Sequence, residues 1–264
     1  MRVHLFTTDV SGLQLLAALS PRDSANCIIV PSNRARSVKV DSLVSATDLP
    51  IYTHQQGQLL PGNLPSADAA IVWMYSQIIL VNDFARYPAG LLNMHGGRIP
   101  EFRGANVLQW AIINGETEIG VTWHEIIEQV DAGPIWADSV IPIPPEATAA
   151  DMRQSIIDEG TRLFPEAWTR FRERSVKPRL PDLTNGKIWR PRRPDDGRIS
   201  PRMSERQVRD QIRALCPPWP PATIWYEGYW YEIKGVVEME ARNTVPYTTS
   251  EGNEIYLRIG RRIQ

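Results

Sequence analysis

The chain has 264 residues, of which 42% are hydrophobic and 22% charged; this is ordinary globular usage and excludes disorder, collagen and coiled coil as global descriptions. Lys and Arg number 29 against 30 Asp and Glu, a net charge of -1, which argues against a basic coat for nucleic acid. Two cysteines, Cys27 and Cys216, are too few for a disulfide framework or a four-cysteine metal site, and no apolar run approaches the ~20 residues of a membrane span.

The opening residues MRVHLFTTDVSG lack the apolar centre and small-residue cleavage site of a secretion signal, so the expected compartment is the cytoplasm. Residues 2–7 read as a short strand. Val10 to Leu19 has helical spacing, with Asp9 or Ser11 as its N-cap. Residues 26–31, 50–53, 68–74 and 90–95 read as further strands, and Ile78-Ile79-Leu80-Val81 as an extension or neighbour of the fourth. Continuous Val/Ile/Leu runs alternating with helical segments predict a mostly parallel α/β sheet with helices on both faces. Residues 105–113 suit a helix stopped by Asn114-Gly115. Residues 119–126 and 135–143 read as strands, separated by the turn Asp131-Ala132-Gly133-Pro134. Residues 149–173 form one long amphipathic helix with a bend expected at Pro165.

Composition then changes. Residues 176–202 are rich in Pro and Arg, which predicts a linker. Between Gly186 and Arg213 nine Lys/Arg face four acids, a net of +5. Residues 204–215 read as a helix capped by Ser204. Residues 222–259 look β-rich, with a Glu227-Gly228 turn between two aromatic strands. The expected division is therefore 1–175 as a catalytic domain, 176–202 as a linker and 203–264 as a small C-terminal domain.

Familiar motifs fail on inspection. The first turn, Thr8-Asp9-Val10-Ser11-Gly12, has one glycine where a dinucleotide fingerprint needs three. His124-Glu125-Ile126-Ile127-Glu128 starts like a zincin helix, but Glu128 stands where the second histidine belongs. No metal is expected. The densest polar cluster runs from Asn93 to Gly104. It follows a predicted strand, and ligands of open α/β sheets sit beyond the carboxyl ends of strands. Asn93 and His95 are two apart, so on extended chain they point the same way. Asp131 leaves another strand in a tight turn. An amide that holds an oxyanion, an imidazole that moves a proton and a carboxylate that sets its charge together suggest acyl transfer without a nucleophilic side chain.

Asn93-x-His95, Pro100-x-x-Arg103-Gly104, Trp110, Gly120-Val121-Thr122-x-His124 and Asp131-x-Gly133-x-Ile135 occur in this order. The series, over about residues 70–145, resembles the folate-dependent formyltransferases: methionyl-tRNA formyltransferase and the sugar N-formyltransferases. Gly97 and Arg98-Ile99 depart from that family's usual Ser and Leu-Leu. Asp-Gly-x-Ile, Ile-Arg-Ala-Leu and Pro-Trp-Pro-Pro-Ala within 195–222 are similar to its junction with a small C-terminal domain. The resemblance implies a Rossmann-like catalytic fold, 10-formyltetrahydrofolate as donor and a primary amine as acceptor. It implies catalytic roles for Asn93, His95 and Asp131. It places the pterin on backbone groups of Tyr75, Gln77, Ile78, Ile79, Leu80, Val130 and Asp131. Arg98, Arg103 and His124 are substrate-binding candidates, although Arg103 reads equally well as an arginine holding loop carbonyls, and His124 as support for the catalytic groups. The short stretch after Pro220 favours an amino sugar on a nucleoside diphosphate, as in polysaccharide biosynthesis, with the basic 186–213 stretch as a phosphate contact. Methionyl-tRNA, an amino acid or siderophore amine, and water (a formyltetrahydrofolate hydrolase) stay open as acceptors. Large RNA contacts and membrane partners are not favoured; a homodimer fits.

Overall fold

The computed structural model describes residues 1–32 and 38–263. In chain order the elements are β1 (Arg2–Thr7), α1 (Leu13–Leu16), β2 (Ser24–Pro31), α2 (Val38–Ala46), β3 (Ile51–His54), β4 (Ala69–Trp73), β5 (Gly90–His95), β6 (Arg103–Gly104), α3 (Val107–Ile113), β7 (Glu118–Glu125), β8 (Ile135–Pro142), α4 (Ala149–Glu173), β9 (Ile188–Trp189), α5 (Glu205–Ala214), β10 (Thr223–Tyr226), β11 (Tyr229–Val237), β12 (Thr244–Thr248) and β13 (Glu254–Ile263). Seven strands form one sheet in the order β3-β2-β1-β4-β5-β7-β8. Pairing is parallel from β3 through β5 and reverses where β7 runs antiparallel to β5. All five residues of β4 are buried, as expected of a strand covered on both faces. This bears out the α/β sheet read from the sequence.

Two compact units divide the chain. One comprises Met1–Arg103, Gly120–Ser139 and Ile157–Lys187; the other comprises Gly104–Ile119, Val140–Ile156 and Ile188–Gln264. Segments 104–119 and 140–156 therefore group with the C-terminal residues. In the first unit α4 runs through Pro165 and buries Phe164, Trp168 and Phe171, a spacing that puts them on one face.

Three local expectations are corrected. Val10–Leu19 is not one helix: Asp9 accepts from the Ser11 N–H at 3.1 Å and opens a 3-10 turn over Val10–Gly12, followed by a single α-turn. Residues 78–81 are not a strand, although the run is apolar. Leu80 is extended and caps a 3-10 turn over Val81–Arg86, where the buried Asp83 carboxylate accepts from the Leu60 N–H at 3.0 Å. Residues 176–202 are more than a linker, because β9 pairs with β6. Gly104, at φ +96°, leaves room for the Trp189 carbonyl, which a Cβ would meet at 2.3 Å.

In the second unit, Ser204 caps α5 as expected, and Gln207 completes a capping box with it. Four antiparallel strands follow in the order β10-β11-β13-β12. Glu227 and Gly228 both take positive φ in the hairpin turn, the geometry that matches strand twist. Strand β12, with Pro246 at the sheet edge, was not expected from the sequence. Helix α2 was not expected either. Among the described residues no helix is long and apolar enough to cross a membrane.

One buried histidine gives the first unit a pH signature. His4 is 2% exposed, and its Nδ1 lies 2.9 Å from the Tyr87 hydroxyl. Burial, outweighing the backbone hydrogen bond at Pro65, lowers its pKa to about 4. The unfolded chain binds this proton from about pH 6.5. Stability contributed by His4 is thus complete above pH 6.5, declines below it, and is lost as pH falls through about 4, a total of about 3 kcal/mol. NMR titration of the folded protein should find the His4 ring neutral at pH 5.5; a midpoint near 6.5 would contradict this placement.

Candidate active site

The catalytic candidates lie where β5 meets β7. Antiparallel register sets Asn93 opposite His124 and His95 opposite Thr122, and directly opposed residues share one face of the sheet. Asn93 Nδ2 lies 3.0 Å from His124 Nε2. His124 Nδ1 lies 3.0 Å from the Glu125 carbonyl.

His95 and Asp131 complete the group. His95 Nε2 lies 2.6 Å from the Phe102 carbonyl, and its Nδ1 lies 3.6 Å from Asp131 Oδ2. Asp131 Oδ1 lies 3.4 Å from His124 Nε2. Both Asp131 distances are longer than a formed hydrogen bond; catalytic contacts are commonly long until substrate closes them. Both His95 nitrogens face oxygens, the Phe102 carbonyl on one side and the Asp131 carboxylate on the other. Thus the three sequence candidates, two on β5 and one in a turn, come together with His124 on β7.

Asp131 sits at φ +44°, an uncommon conformation held by its surroundings. Arg103 supplies part of that hold. It is 3% exposed, and its Nε and Nη2 donate to the Val130 carbonyl at 3.0 and 2.8 Å. Of its two sequence readings, this is the arginine that braces a loop. Arg98 is exposed with its Nε 3.8 Å from Glu101. Sequence reasoning missed the Phe102 and Glu125 carbonyls, because a backbone acceptor carries no residue-type signal. Trp110 stacks on Trp189 at 5.4 Å and donates to the Arg190 carbonyl at 3.0 Å, which is packing.

The loop from Tyr75 to Leu80 is split between core and surface. The Tyr75 hydroxyl lies 2.8 Å from His54 Nδ1, and burial pushes its pKa up. Ile79 packs among Phe6, Val72 and Tyr87. Ile78 is 68% exposed. Gln77 is 8% exposed; its Nε2 reaches Ser32 Oγ at 3.4 Å, while its buried Oε1 has no hydrogen-bond partner among the described residues. Buried polar atoms normally have one, so this loop fits a ligand that offers a donor. Val130 is exposed, with its carbonyl already taken by Arg103.

Within the basic stretch, Arg190 pairs with Asp196 at 2.6 Å, which holds the Asp196 carboxyl down at about 2. Arg198 pairs with Asp195, Arg209 with Glu205, and Arg206 and Arg213 with Asp210. These are the four acids already subtracted in the net of +5, so the pairing places five of the nine cations and leaves the net charge unchanged. Among the described residues no group of three His, Cys, Asp or Glu could hold a metal ion.

Residues 60–168, which include Asn93, His95, His124 and Asp131, match the family model for formyl transferase. Three solved structures share the fold of this chain. WlaRD, a sugar 3N-formyl transferase crystallised with dTDP and 5-N-formyl-THF, has a TM-score of 0.74 at 17% identity, over 100% of this chain and 99% of its own. The N-formyltransferase of Helicobacter canadensis, in complex with folinic acid and dTDP-3-aminofucose, has a TM-score of 0.74 at 16% identity, over 98% and 99%. HypX of Aquifex aeolicus, in complex with tetrahydrofolic acid, has a TM-score of 0.68 at 20% identity. That match covers 97% of this chain and 43% of HypX.

Proposed function

We propose that the protein moves a formyl group from 10-formyltetrahydrofolate to the primary amine of a nucleotide-linked amino sugar. The observation that carries formyl transfer is the convergence of Asn93, His95 and Asp131 inside the formyl transferase segment. The amine nitrogen attacks the formyl carbon, and the carbonyl electrons move onto oxygen. Asn93 donates to that oxygen, a contribution of roughly 3–4 kcal/mol to the transition state. The His95 ring, beside the reacting carbon, polarises the same carbonyl. The Asp131–His95 pair takes the proton leaving the amine and supplies one to the departing folate nitrogen, so the formyl carbon changes partners with no net gain or loss of protons. The loop from Tyr75 to Leu80, with the unpartnered Gln77 oxygen, holds the pterin, whose ring N–H groups are donors of the kind that oxygen lacks.

The acceptor rests on comparison. Two enzymes of this fold, matched over nearly their whole length, were crystallised with dTDP or a dTDP-amino sugar. To test the acceptor, purified protein is given the folate donor with nucleoside-diphosphate amino sugars, methionyl-tRNA, free amino acids, or no amine. A formylated nucleotide sugar with little amine-free formate is expected. Steady formate release without amine would identify a hydrolase, and formylation of the tRNA or amino acids alone would overturn the sugar assignment.

A further inference from the structure

We infer that His124 is a positioning residue that fixes the Asn93 amide with its NH2 group toward the reacting carbonyl. The inference rests on the reading of Asn93 as the oxyanion donor. A carbonyl oxygen can only accept, so the 3.0 Å contact with Glu125 puts a proton on His124 Nδ1. In that tautomer Nε2 is the acceptor nitrogen. Asn93 stands 3.0 Å from that nitrogen and must meet it with N–H. One Nδ2 proton is thereby engaged, and the second stays available for the formyl oxygen. An amide side chain otherwise has two nearly equivalent orientations; turned over, it would present Oδ1 to the growing negative charge.

The surroundings hold the ring in this role. His124 is 1% exposed, and strand register sets it opposite Asn93. The charged or titratable groups facing it are Asp131, 3.4 Å from Nε2, and His95, whose ring lies edge-on at 6.2 Å. Neither offers Nε2 a hydrogen bond at a normal distance, which leaves Asn93 as its partner.

Two readouts test this on the full chain. Long-range 15N–1H NMR of histidine-labelled protein should show His124 protonated at Nδ1 and bare at Nε2; a neutral ring protonated at Nε2 would overturn the inference without any variant. In kinetics, His124→Leu should lower kcat about 30–100-fold while each KM stays within about 3-fold. His124→Gln, whose Oε1 can take the place of Nε2, should recover to within about 5-fold of the parent. In an Asn93→Ala background His124→Leu should cost less than about 3-fold, because the group it positions is gone. Equal damage from Leu and Gln, or an undiminished loss in the Asn93→Ala background, would show a merely structural role. An unimpaired Asn93→Ala enzyme would instead sink the oxyanion reading, and the NMR result separates the two failures.

Discussion

Asn93→Ala should lower the rate of formyl transfer at least ~100-fold, with donor and acceptor KM values nearly unchanged. Removing one oxyanion donor typically costs 10²–10³ in kcat, because the interaction is made fully only in the transition state. His95→Ala should show a loss of similar size. The paired loss would be well below additive in the double variant, since the two groups act on one carbonyl. Folding should survive both changes: Asn93 is half-buried at a strand end, and its side chain bonds to His124 rather than to the core. Steady-state kinetics, with circular dichroism to verify the fold, make the check. Near-parental turnover in either variant would remove its assigned role.

Gly133→Ala should damage both stability and catalysis. A Cβ at this position would lie 1.8 Å from the Glu125 carbonyl oxygen and 2.8 Å from its carbon. Those are backbone atoms, which cannot swing aside as the tip of a side chain would. The same carbonyl accepts from His124 Nδ1, and Asp131 stands two residues before Gly133. Relief of the clash must therefore move the turn that carries Asp131, the strand end that carries His124, or both. Overpacking of this kind costs about 1–3 kcal/mol and sometimes more, which predicts a fall in Tm of about 4–10 °C. A displacement of about 1 Å at the chemistry costs on the order of 100-fold in rate. Gly62→Ala is the control, since nothing lies within 4 Å of its added carbon. Unchanged melting and turnover in Gly133→Ala would show that the turn is not packed as described.

The site was legible where chemistry and spacing coincide. Asn93 and His95 stand two apart at the end of an apolar run, and β5 ends at His95 as that run predicts. Asp131 announces itself through Asp-Ala-Gly-Pro, a turn between two strand-like segments. His124 was visible as a residue but its partner was not, because the antiparallel register of β7 on β5 is a long-range fact. Arg103 had two readings until its burial against the Val130 carbonyl chose one. The misread strand at 78–81 shows the limit of apolar runs: Ile78 is exposed, and the buried carboxylate of Asp83 turns the chain just beyond. Counting charges over 186–213 gives the net of +5 but not its arrangement: five of the nine cations pair with the four acids of the same stretch. Strand β12 escaped because Pro246 argues against a strand except at a sheet edge, which is where it lies.

A crystal structure of the protein with a non-reactive 5-formyl folate would decide most directly whether one carbonyl is shared by an amide, an imidazole and a carboxylate. The formyl oxygen should lie about 3 Å from Asn93 Nδ2, with its carbon beside His95 and Asp131 and the pterin along residues 75–80. A folate bound elsewhere on the protein, with its formyl group remote from these three side chains, would contradict the account.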